Sequence, residues 1–266
     1  MPGKDRQAAR ARAKIERELA AKAAAKAARR RRVLVGLAAT AGLALAVAAI
    51  VFVVNFLTGE DDSTPVAAKA DRSRACRYER DTVRPAPRRV GLPPTDGVQR
   101  SGTRTATMTT NRGVLELELD AAKAPCTVNS FAFLAGKRFF DGTSCHRLSN
   151  QGLFVLQCGD PTGKGTGGPG YVFRDENLPP DDGYDEATLA MATRGRNANG
   201  SQFYVFFGDS PRLPPSYGVF GRVTKGLDVV KRVAAAGVNE SLPGSEDGAP
   251  KQPVAITSMT VTPADG

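Results

Sequence analysis

Hydrophobic and polar residues alternate strictly around Val114–Asp120, with Leu115, Leu117 and Leu119 on one side and Glu116 and Glu118 on the other. A period of two is that of a strand with one face buried. The preceding "TATMTT" alternates as well, so the pattern predicts two strands joined at Asn111-Arg112-Gly113. The period then changes. Val128, Phe131 and Leu134 in "APCTVNSFAFLAGKRFF" recur at helical spacing, and "KGLDVVKRVAAAG" predicts a second helix over 225–237. Short apolar runs separated by Gly/Pro-rich loops fill the rest, which suggests a mainly β closed barrel or sandwich of roughly 160 residues with two helices.

The N-terminal region has a different texture. Val33–Leu57 carries no charge over "VLVGLAATAGLALAVAAIVFVVNFL". At about 1.5 Å per residue this exceeds a hydrocarbon core of roughly 30 Å, so a single transmembrane helix is expected. The run is longer than the hydrophobic region of a cleaved signal peptide, which favours a retained anchor. Residues 58–103, with "RPAPRR" and "GLPPTDG", lack any sustained apolar period and read as an extended linker. The expected organisation is a basic tail over 1–32, the span over 33–57, the linker over 58–103 and a folded domain over 104–263.

Charge sharpens this picture. The 266-residue chain has a net charge of +10, but residues 1–32 hold twelve Lys/Arg against three acidic residues, a balance of +9. The remainder holds 25 basic and 24 acidic residues, so the folded part carries no basic footprint and no nucleic-acid partner is expected. Arg29–Arg32 abut one end of the span and Glu60, Asp61 and Asp62 follow the other. The positive-inside rule then places the N-terminus in the cytoplasm and the C-terminal domain outside, in a single pass through the cytoplasmic membrane.

Four cysteines, Cys76, Cys126, Cys145 and Cys158, fall in the part assigned to the outside, where disulfides persist. Three pairings exist on paper. A hairpin centred on "SNQG" would set Cys145 opposite Cys158 and leave Cys126 for Cys76; buried free thiols are the other reading. No C-x-x-C spacing occurs and His146 is the single histidine, so neither a metal nor another cofactor is expected.

The blocks "FFDGTSCHRL", "FVLQCGDPTGKGTGGPGY", "LAMATRGRNANGSQFYVFFGD" and "YGVFGRVTKGLDVVKRV" occur in that order. Together they resemble successive motifs of the cyclophilin family of peptidyl-prolyl isomerases, from about Thr105 to about Pro263. The anchor and cysteines are similar to those of extracytoplasmic cyclophilins of high-GC Gram-positive bacteria. The resemblance implies an eight-stranded antiparallel barrel capped by two helices, and acceleration of X-Pro rotation in exported or unfolded polypeptides. That rotation faces a barrier of about 18–20 kcal/mol from imide conjugation. A guanidinium donating to the prolyl nitrogen lowers it without covalent chemistry, by bonding more strongly in the twisted state.

By the same resemblance Arg147 is the catalytic residue. Phe154, Val155, Tyr204 and Leu213 form the proline slot, and Gln157 holds substrate backbone. Ala192 and Thr193 pair with the extended peptide, while Gln202 and Tyr217 complete the surface. His146 faces away from Arg147 along the strand and supports the hydrogen bonding around it. A monomeric domain acting on proline-containing polypeptides is implied.

Departures from the family pattern are visible. Tyr204 replaces the usual phenylalanine, Val155 a methionine, Thr193 an asparagine and Tyr217 a frequent histidine. The common tryptophan is missing from "DSPRLPPSYGVFG", which implies weak cyclosporin inhibition, and "LSNQGL" makes a longer loop than in cytosolic members. The alternative is a membrane-tethered module that binds proline peptides, or acts as a chaperone, without turnover.

Overall fold

A computed structural model describes residues 75–84, 86–240 and 244–262. The basic tail, the span Val33–Leu57 and the first part of the 58–103 segment lie outside the described residues. No helix among the described residues is long and apolar enough to cross a membrane.

The alternating segment behaves as its pattern requires. β2 (Thr103–Thr110) and β3 (Gly113–Asp120) form an antiparallel hairpin in which Thr110 opposes Gly113. Leu115, Leu117 and Leu119 are buried, while Glu116 and Glu118 face out and pair with Lys225 and Arg222 on β10 (Val219–Lys225). α1 (Pro125–Gly136) starts with proline at its first turn, where a missing N–H costs nothing. It buries Val128, Phe131 and Leu134 against Phe140, Phe203 and Phe220. α2 (Leu227–Ala235) buries Val229, Val230, Val233 and Ala234. Gly226 precedes it at φ +84°, where a Cβ would come within 2.1 Å of the Val114 carbonyl oxygen.

The remaining strands are β1 (Tyr78–Arg80), β4 (Thr143–Cys145), β5 (Arg147–Gln151), β6 (Leu153–Cys158), β7 (Tyr171–Phe173), β8 (Thr188–Met191), β9 (Phe203–Phe206), β11 (Val238–Glu240), β12 (Asp247–Pro250) and β13 (Val254–Val261). Eleven form one antiparallel sheet in the order β11-β12-β5-β6-β9-β8-β10-β3-β2-β13-β4, and β1 pairs with β7 separately. The sheet curls on itself, because β4 at its far end and β5 near its start are separated only by His146. The expected strand number of eight is therefore corrected to eleven for this sheet. His146 interrupts one stretch into β4 and β5, and the β11–β12 hairpin is added beyond β5.

"LSNQGL" is not a long loop. β5 and β6 continue to Gln151 opposite Leu153 and reverse at Gly152, whose φ of +71° suits glycine. Cys145 is bridged to Cys158, and Cys76 to Cys126.

The described part of the 58–103 segment is packed against the domain and is no free tether. Tyr78 is buried, touches Tyr171 and Phe173 edge-on, and donates its hydroxyl to the Cys126 carbonyl at 2.8 Å. Arg88 donates to the carbonyls of Phe139 and Asp141 at 2.8 and 2.6 Å. The folded unit thus includes residues well before 104. Isolated side chains and one three-residue strand fix this segment, and neither leaves a periodic signal.

Candidate active site

Cross-strand register assembles the site. Arg147 on β5 opposes Gln157 on β6, Gln157 opposes Tyr204 on β9, and Tyr204 opposes Ala190 on β8. Residues directly opposed in a sheet share a face, so these four form one row across four strands. The neighbours Leu148, Leu156, Phe203 and Val205 point into the main core. On the row's own face a second apolar cluster forms from Val155, Ala192, Tyr204 and Phe206, flanked by the half-buried Leu213 and Tyr217.

Arg147 is fixed at one end of the row. Its Nε donates to Oδ1 of Asp247 at 2.8 Å and its Nη2 to Oδ2 at 2.5 Å, while Nη1 reaches Gln157 Oε1 at 3.4 Å. Such a two-point carboxylate contact sets the plane of a guanidinium as well as its position. The side chains of Arg147 and Asp247 remain 33% and 35% exposed. The hydrogen bonds it donates to Asp247 raise the arginine pKa further, so it stays charged. Of five N–H donors, those not directed at Asp247, Gln157 and the neighbouring Tyr204 hydroxyl remain for a ligand.

Beyond Arg147 the glutamines form a relay. Gln157 Nε2 donates to Gln202 Oε1 at 2.8 Å, and Gln202 Nε2 donates to the Gly167 carbonyl at 2.9 Å. Ala192 donates its N–H to the Gln202 carbonyl at 2.9 Å, placing Ala192 and Thr193 beside the same surface. Thr193 turns its hydroxyl to the Gly195 carbonyl at 2.6 Å.

Tyr204 lies in the middle, 7% exposed, with its ring edge-on to that of Tyr217 at 5.3 Å. Burial pushes its pKa up to about 12, with the nearby Tyr217 adding to the rise and Arg147 opposing it. The hydroxyl therefore stays protonated.

His146 turns the other way. It packs beneath Gly165, where an added Cβ would sit 3.3 Å from Nε2, and burial lowers its pKa below the usual histidine value. Its buried Nδ1 has no protein partner among the described residues. His146 thus packs against the glycine-rich loop and not in the groove; among the described residues no cluster of three metal-ligating side chains occurs.

Phe154 is not brought to this face. As the neighbour of Val155 it points to the opposite side, edge-on to Phe207 at 6.1 Å, and lines a separate cavity of about 480 Å3 next to α2. A further cavity of about 700 Å3 lies at the Cys126 end of α1, away from Arg147.

Three supporting residues escape sequence reading. Asp247 is 100 positions from Arg147 in a segment without a motif. Tyr184 stacks on Phe206 at 4.9 Å and its hydroxyl both accepts the Tyr217 N–H and donates to the Tyr217 carbonyl, which holds the Leu213–Tyr217 loop. Fully buried Asp160 accepts from the N–H groups of Thr162, Lys164 and Gly167 and so shapes the glycine-rich loop. Its Asp-Pro-Thr-Gly context is a turn signal that could have marked it.

Residues 105–261 match the family model described as cyclophilin type peptidyl-prolyl cis-trans isomerase/CLD. The chain belongs to the cyclophilin family. It is 45% identical over 186 residues to the probable peptidyl-prolyl cis-trans isomerase B of Mycobacterium leprae, covering 65% of this chain and 60% of that relative. Its likeness to the isomerase B of Mycobacterium tuberculosis is 46% over 185 residues, covering 64% of this chain and 57% of that one. The chain thus spans about 60% of the length of these two relatives. A cyclophilin from Cryptosporidium parvum, also solved in the presence of the dipeptide Ala-Pro, superposes with TM-scores of 0.53 and 0.52 at 27% and 28% identity. Those matches cover 62% and 60% of this cyclophilin and 100% and 99% of the neighbour.

Proposed function

We propose that this cyclophilin is a peptidyl-prolyl cis-trans isomerase that binds extended proline-containing polypeptides across the Arg147–Ala190 row. The observation that carries the reading is a partly exposed guanidinium, oriented by Asp247, on the same sheet face as an apolar cluster of Val155, Tyr204, Leu213 and Tyr217. An apolar surface takes the proline ring, and a fixed donor beside it is placed to bond the prolyl nitrogen as conjugation is lost. Gln157 and Gln202 offer amide groups for substrate backbone, and Ala192 and Thr193 form the edge along which it runs. Phe154 supports β6 from behind and has no direct contact with proline in this account.

The reaction moves no proton, and the groups present agree with that: Arg147 stays charged, Tyr204 stays protonated and His146 is turned away. The Cryptosporidium parvum neighbour solved in the presence of Ala-Pro supports a proline-peptide substrate. The apolar run Val33–Leu57 between Arg29–Arg32 and Glu60–Asp62 supports a single membrane anchor with this domain on the extracytoplasmic side, where two disulfides persist. Its clients are then exported chains.

A second reading, proline binding without turnover, draws on one feature: Tyr204 is a buried member of the apolar cluster that carries a hydroxyl. Full-length protein in detergent, assayed for cis-to-trans conversion of an Ala-Pro-Phe reporter peptide, separates the two. Acceleration supports the isomerase; binding without acceleration, relieved by Tyr204→Phe, supports the module.

A further inference from the structure

A cavity of about 410 Å3 opens beside the apolar cluster, sharing Tyr217 with it and lined also by Thr193, the neighbour of Ala192 in the cluster. Its wall carries two exposed guanidinium groups, Arg194 and Arg196, and one carboxylate, Asp175. No ion pair among the described residues involves either arginine. Asp175 is already committed to the loop: Oδ2 accepts the Asn197 N–H and Oδ1 accepts from Asn199 Nδ2, both at 2.8 Å.

Arg194 is also held in place. Its Nη2 donates to the Gly165 carbonyl at 2.7 Å, and Gly165 rests on His146 in the loop shaped by Asp160. One donor of Arg194 is used, which leaves its charge and remaining N–H groups available at the cavity. Two guanidiniums and one already hydrogen-bonded carboxylate lining the same cavity make a site selective for a carboxylate, and Thr193 and Tyr217 put it within reach of a side chain near the bound proline.

Resting on the isomerase reading, we propose that this cavity is a specificity subsite for the side-chain carboxylate of an aspartate or glutamate flanking the substrate proline. It gives the enzyme a preference for acidic segments that the proline slot cannot supply.

The test measures kcat/KM of the full-length protein in detergent for reporter peptides carrying Glu, Ala or Lys at each position within two residues of proline. At low ionic strength Glu should exceed Lys by about two- to fivefold at one position, as suits an exposed charge pair. The ratio should shrink in 0.5 M salt, since screening acts within about a few ångströms there. Arg194→Gln, which keeps a donor for Gly165, and Arg196→Gln should each bring the ratio toward one, and Arg196→Glu should invert it. Equal rates for Glu and Lys peptides in the wild type, or a ratio untouched by all three variants, would overturn the subsite. If no peptide is turned over, the isomerase reading fails instead. Equilibrium binding of the same peptides then decides the subsite by the same ratio.

Discussion

Arg147 and Asp247, 100 residues apart in sequence, meet through two hydrogen bonds of 2.8 and 2.5 Å, so the plane of the guanidinium is set by a carboxylate from the β12 strand. The aspartate is a positioning residue in this account. Asp247→Asn should lower kcat on the order of tenfold, the scale of a small misplacement of a reacting group, with KM little altered. Asp247→Glu should recover part of the loss. A change confined to KM would place Asp247 in binding and not in orientation.

Tyr204 gives a prediction of opposite sign. Its hydroxyl lies in an apolar slot near Arg147, and removing it frees the guanidinium while making the slot drier. Tyr204→Phe should raise kcat/KM about threefold or more, consistent with the usual worth of one hydrogen bond. A fall in activity would mean that the hydroxyl touches substrate productively.

The pH behaviour separates activity from stability. Arg147 stays charged and Tyr204 stays protonated between pH 6.5 and 9, so kcat/KM should be flat there, with no solvent isotope effect. Stability should not be flat below this window. Burial depresses the folded-state pKa of His146, so the unfolded chain takes up the proton first, and unfolding becomes easier as pH falls below about 6.5. Denaturant melts at pH 7.5 and 5.5 should show this loss, and His146→Gln should diminish it.

The Cys76–Cys126 bridge closes a loop with a sequence separation of 50, and on the chain-entropy account contributes about 4 kcal/mol. Cys76→Ser with Cys126→Ser should lower stability by roughly that amount while activity persists at 25 °C, because the pair lies away from the groove. Denaturant midpoints of the two proteins at equal m-value check it.

Much of this molecule is legible in its residues. The β2–β3 hairpin and both helices follow from periods of two and 3.6, because burial of one face forces those periods. Arg147, Gln157, Gln202 and Tyr204 come to one face because the family motifs that carry them fall on paired strands. Phe154 does not, since adjacent strand residues oppose one another and Val155 already occupies the groove face. Asp247 was hidden because a contact between distant strands leaves no local pattern. The packing of Tyr78 and Arg88 was hidden because single anchoring side chains in a Pro/Arg-rich stretch look like a linker. The β11–β12 hairpin is short and weakly apolar, so it adds strands that no periodicity announces.

On the proposed mechanism, the Arg147 guanidinium lowers the rotation barrier of a proline held on this face. The most direct measurement is kcat/KM of the full-length protein and of Arg147→Ala on the Ala-Pro-Phe reporter, with thermal unfolding of both in parallel. The account predicts matching unfolding curves and a loss of activity on the order of a hundredfold or more, the scale for removing a donor aimed at developing charge. An Arg147→Ala protein that folds and retains most of the wild-type rate would contradict it.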